Sequence, residues 1–177
     1  SKMKTKDKLK VSNPLKKAAG FPKNKVSTLK RTEEVEITSN IAQLERELWI
    51  TILSNPAKLH FLVEPIKKVL SSNKNYEGRE EVLSALTNIC TLATNKNKQA
   101  KASFNRALND CVSLLTQIDV DRELVSEAAK EAVKRSTVNN GNQRFLSHAR
   151  KVKSAMRGAE NLRNEFIQAN QGLVVLI

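Results

Sequence analysis

Residues 143–177 read QRFLSHARKVKSAMRGAENLRNEFIQANQGLVVLI. Apolar side chains recur there at Phe145, Ala149, Val152, Met156, Ala159, Leu162, Phe166 and Ala169, in steps of three or four residues. Such steps line up on one face only if the chain turns every 3.6 residues, so the stretch is predicted to be one amphipathic helix. It is long for a globular helix, and Gly158 and Gly172 are expected to interrupt it. Arg150, Lys151 and Lys153 add positive charge on its outer side, a pattern that suits solvent and also a phosphate backbone. The stretch ends on Leu173-Val174-Val175-Leu176-Ile177. An apolar end of this kind needs cover, and the expectation is that the chain is a piece of a longer one.

Working outward, the same period recurs. Ile41, Leu44, Leu48 and Ile52 place a helix over 37–53, with Asn40 and Gln43 in the pattern of a capping box. Asn55-Pro56 is expected to start the next helix, with Pro56 at its first position. Leu59, Leu62, Val63, Ile66, Val69 and Leu70 form its stripe, and Pro65 should bend or break it. Val82, Leu86, Ile89, Cys90 and Ala93 mark a helix over 79–94. Phe104, Leu108, Cys111 and Leu115 mark one over 99–117. Leu124, Val125, Ala128 and Val133 mark one running to about 134, capped by Asp119 or Asp121. Loops are predicted at 71–78 and 136–142, the latter on Asn139-Asn140-Gly141.

Composition agrees with helices. Of 177 residues only five are Gly and four Pro, and aromatics make up 4%, too little turn chemistry for an all-β chain. The expected fold is all-α: a multi-helix bundle with a long C-terminal helix, preceded by a disordered basic N-terminal arm over residues 1–36. The net charge is +13, and it is uneven. Residues 1–31 hold eleven of the 31 Lys and Arg, among them Lys2, Lys4, Lys6, Lys8, Lys10, Lys16 and Lys17, against the single acid Asp7. Such an arm binds phosphate by releasing counterions, or serves only as a solubilising leader.

The residues offer little for catalysis. The sequence has no Gly-rich phosphate loop, no His-Glu-x-x-His, no Gly-x-Ser-x-Gly and no Cys-x-x-Cys. The chain is therefore read as non-enzymatic, without cofactor, metal or small-molecule substrate. Cys90 and Cys111 fall on apolar helical faces and are read as small hydrophobes in a reduced, intracellular chain. His60 lacks any partner at ligand spacing and is read as a surface or boundary residue. Trp49 is assigned to the core, with base stacking as the competing role. No window of 18 apolar residues exists, so no membrane span is expected.

One string carries more. Leu162-Arg163-Asn164-Glu165-Phe166-Ile167-Gln168-Ala169-Asn170-Gln171-Gly172-Leu173-Val174-Val175 resembles the opening of region 2.1 in bacterial sigma-70 family transcription initiation factors. That family reads Phe-(Val/Ile)-Glu-Ala-Asn-Leu-Arg-Leu-Val-Val there. Gln168 stands for the usual acid, and Gln171-Gly172 replaces Leu-Arg. Upstream, Leu44-Glu45-Arg46-Glu47-Leu48-Trp49-Ile50-Thr51-Ile52-Leu53 is similar to region 1.2 of divergent members. The resemblance divides the chain into the arm (1–36), a region-1.2-like helix (37–54), a helical insertion (55–142) and the start of sigma region 2 (143–177).

The resemblance implies a subunit that binds the bacterial RNA polymerase core through its beta and beta-prime subunits and contacts promoter DNA, in the cytoplasm of a bacterium or of a phage-infected host. Asn170 and Leu173 would then line a pocket for an unstacked promoter base, closed by Glu47. An amide offers a donor and an acceptor to a base edge, and an apolar wall accepts its face. The competing reading is a helical adaptor or ribonucleoprotein assembly factor that binds RNA through its basic arm.

Overall fold

The computed structural model describes residues 31–138 and 142–174, which form six α-helices and no strand. They are α1 (Arg31–Leu53), α2 (Leu59–Ser72), α3 (Arg79–Ala93), α4 (Lys98–Ile118), α5 (Glu123–Val138) and α6 (Gln143–Val174). Most of the basic arm, residues 1–30, lies outside the described residues. Its expected boundary at 36 moves, because 31–36 already belong to α1.

α1 is the hub: α2, α4, α5 and α6 all pack on it. α3 and α4 pair with one another, and α5 lies between α2 and α6. One core joins them. Leu48, Trp49, Ile52 and Leu53 of α1 meet Leu62, Val63, Ile66 and Leu70 of α2, Leu86 and Ile89 of α3, Phe104, Leu108, Val112 and Leu115 of α4, Leu124 and Ala128 of α5, and Val152 and Ala159 of α6. Burying each large aliphatic side chain contributes about 1.5–3 kcal/mol. The stripes read from the sequence are therefore the faces that hold the bundle.

The helix boundaries show where local signals yield to packing. Asn40 does not cap α1; it sits inside a helix that begins nine residues earlier. Pro56 is not the first helical residue either. Residues 56–58 make a turn, and α2 starts at Leu59. Pro65 does not break α2, since buried Leu62 and Val63 before it and Ile66 and Leu70 after it anchor both halves. The carbonyl it frees belongs to exposed Phe61, within reach of water. α5 continues to Val138, past the expected end and into the predicted loop; Asn139-Asn140-Gly141 lies outside the described residues. α6 runs through Gly158, where an added Cβ would meet nothing within 4 Å. Its stripe is inward: Ala149, Val152, Ala159 and Leu162 are buried, and Phe145, Met156, Phe166 and Ala169 partly so.

Two caps have clear chemistry. Asn97 accepts the Gln99 N–H at the start of α4. Asp119, rather than Asp121, caps α5: its two carboxylate oxygens accept the N–H groups of Leu124 and Val125, each at 2.9 Å. Between Asp119 and the start of α5, Arg122 adopts a left-handed backbone with φ 57°. Burial raises the Asp119 carboxyl above its ordinary value, against the two backbone N–H groups and Arg122, which lower it.

Candidate nucleic-acid interface

The two stretches that resemble sigma segments lie far apart in sequence, on two helices that pack together, α1 and α6, and they meet where Glu45 faces Arg163. The helices run antiparallel. His148 Nε2 donates to the Thr51 carbonyl at 3.0 Å near one end, and Arg163 Nη1 donates to Glu45 Oε1 at 3.0 Å further along.

The charged triplet Glu45-Arg46-Glu47 splits three ways. Glu45 turns toward α6 and the α4–α5 corner, holding Arg163 and, at 3.6 Å, Arg122 Nε. Arg46 turns toward α4, donating to Ser113 Oγ and Asn109 Oδ1, each at 2.9 Å. Glu47 faces solvent and accepts from Gln43 Nε2. A cavity of about 10 Å³, lined by Glu45, Trp49, Asp119 and Arg122, sits beneath the cluster. It is about the size of one water. Trp49 is 2% exposed, so the core role holds and its ring is not available for base stacking in this fold.

Asn170 is partly buried near the far end of α6. Thr38 and Ile41 of α1 face Arg163, Phe166 and Ile167 of α6 across an open groove. Asn170 lies four residues beyond Phe166, whereas Glu47 lies six residues from Ile41 in the opposite direction. At 1.5 Å per residue that separates their levels by roughly 15 Å. The structure does not bring Glu47 to Asn170, because Glu45 and not Glu47 falls on the face of α1 that meets α6. The Leu173 side chain lies outside the described residues.

The basic residues of α6 also part. Lys153 faces α5 across a groove shared with Lys130, Lys134 and Arg157. Lys151 falls on the opposite flank, near Lys58 and His148. Arg150 is exposed. The three therefore do not make one continuous phosphate track. Lys58 is 5% exposed. Its ammonium donates to the Arg144 carbonyl and stands 4.8 Å over the Phe145 ring. Burial lowers its pKa, and Arg144 and Lys151 add to the effect. Lys2, Lys4, Lys6, Lys8, Lys10, Lys16 and Lys17 lie outside the described residues.

Two groupings were missed in the sequence: the Glu45–Arg122–Arg163 cluster and the rim of the α5–α6 groove. The rim had a local signal, since Lys130/Lys134 and Lys153/Arg157 are each spaced i,i+4 and so share a helix side. The cluster had none, because its members come from three remote segments.

Cys90 and Cys111 form no disulfide, and burial pushes the Cys111 thiol up to about 12, which suits a core residue rather than a nucleophile. His60 is exposed, as expected. Among the described residues no group of three or more His, Cys, Asp or Glu could hold a metal ion. No helix there is long and apolar enough to cross a membrane. Comparison of the chain with protein-family models, with curated proteins and with solved structures finds no match.

Proposed function

We propose that this chain is a sigma-factor-like subunit that docks on bacterial core RNA polymerase and presents the end of α6 to single-stranded promoter DNA. The observation that carries the reading is the juxtaposition of its two resembling segments. Residues 44–53 and 162–174 are separated by more than half the chain, yet they lie on helices that pack on one another and meet where Glu45 binds Arg163. Partial burial of Asn170 near a helix end suits base readout, because part of its ordering is settled before the ligand arrives. Asn170 supplies the amide and Leu173 the apolar wall, while Glu47 acts outside any pocket with Asn170. The basic arm adds affinity that falls with salt.

Gel filtration of the full chain with bacterial core polymerase at low salt tests this. Co-elution is expected, and it should survive deletion of residues 1–30. Asn170→Ala should leave co-elution intact and weaken binding of a single-stranded promoter oligonucleotide by the assembled complex about fivefold, the worth of about one hydrogen bond. A helical chain that does not co-elute sinks the reading. A chain whose binding partner is RNA, lost with residues 1–30, is the adaptor instead.

A further inference from the structure

We infer that the groove between α5 and α6 is a docking site for an acidic amphipathic helix of another polypeptide. The groove is open, about 510 Å³ in volume, and lies on the outside of the bundle. Its floor is apolar: Ala129 and Val133 from α5, Val152 and Met156 from α6. Val133 and Met156 keep part of their surface exposed, and methionine suits such a floor because its unbranched thioether adapts to whatever enters.

The rim decides the kind of partner. Lys130 and Lys134 stand on one wall and Lys153 and Arg157 on the other. Lys130 is paired with Glu127 at 2.7 Å. Lys134, Lys153 and Arg157 have no carboxylate partner among the described residues, although Glu160 lines the same groove. An apolar trough between two cationic walls matches a helix with an apolar face flanked by Asp or Glu. The dimensions match as well. Residues 126–134 and 152–160 each rise roughly 12 Å. Anchors at i, i+3 or i+4, and i+7 of a docked helix span roughly 10 Å. A nucleic acid fits less well, since phosphates gain nothing from an apolar floor and are repelled by Glu160. This site stands apart from the polymerase reading and from the end of α6.

The test uses the full chain and a fluorescein-labelled helical peptide with Leu at i, i+4 and i+7 flanked by Glu, with its Glu→Lys counterpart and a DNA duplex as controls, followed by anisotropy at low salt. Binding of the acidic peptide is expected, with little binding of the basic one. Methyl shifts on binding should map to Ala129, Val133, Val152 and Met156. Lys153→Glu with Arg157→Glu, both at exposed positions, should weaken binding at least tenfold, and Met156→Glu should do the same through the floor. Peptide binding that survives all three substitutions, or that shifts no groove methyl, overturns the proposal and assigns the affinity to residues 1–30. Displacement of the peptide by duplex DNA, with DNA binding lost in the rim variant but kept in Met156→Glu, overturns it in favour of a phosphate surface. Failure of polymerase co-elution leaves this test unaffected.

Discussion

Glu45 Oε1 lies 3.0 Å from Arg163 Nη1 and 3.6 Å from Arg122 Nε, so one carboxylate ties α1 to α6 and to the corner before α5. Two buried guanidinium nitrogens of Arg122, Nε and Nη2, have no hydrogen-bond partner. Their charge is balanced by proximity alone. Glu45→Gln keeps the shape and removes the charge, leaving two arginines facing one another's field. The side chains are a quarter to a third exposed at Glu45 and Arg163, so the loss lies between that of a surface pair and that of a buried one, about 1–2 kcal/mol. Urea unfolding should show a lower midpoint with an unchanged slope. An unchanged midpoint would mean that the carboxylate contributes nothing net.

Asp119 closes the start of α5 with two hydrogen bonds from one side chain. Asp119→Ala should cost about 1–2 kcal/mol at neutral pH through the lost cap. Asp121→Ala, at an exposed position, should cost much less. Equal losses for the two would contradict the assignment of the cap.

His148 contributes a pH dependence. Burial holds its imidazole below the ordinary value of 6.5, opposed by its bond to the Thr51 carbonyl and reinforced by Lys58 and Lys151. The unfolded chain therefore takes up the proton at a higher pH than the folded one. Stability should fall as pH drops through 6.5 toward the depressed folded value. His148→Gln retains an N–H donor without titrating, so its melting temperature should fall less steeply between about pH 7 and pH 5. Parallel curves for the two proteins would remove His148 as the cause.

Gly158 sits in the interior of α6 with open space where a Cβ would stand. Gly158→Ala should raise stability by about 1 kcal/mol, since alanine loses less backbone freedom in a helix. A lower melting temperature would point to a close approach that the fold does not contain.

The helical faces were legible in the sequence because burial and periodicity are one physical fact: a side chain every 3.6 residues returns to the same side. The stripe from Phe145 to Ala169 needed only neighbouring residues to be read, and they narrowed the cap of α5 to Asp119 or Asp121. The start of α1 was not legible. Asn40 carries a good cap pattern, but a cap is worth about 1 kcal/mol, and the helix continues through it to Arg31. Pro65 looked like a break for a similar reason. A proline penalty of about 3 kcal/mol is outweighed by four buried aliphatic residues around it.

The sequence by itself determined the number and register of the helices and the face that each one buries. It also determined the resemblance at residues 162–175. Only the tertiary structure decided which helix each charge of Glu45-Arg46-Glu47 meets, and that Lys130, Lys134, Lys153 and Arg157 border one apolar trough. Periodicity is local and states that a residue is on a face. Which charges meet across two faces depends on how helices remote in sequence pack, and that is set by the whole core at once.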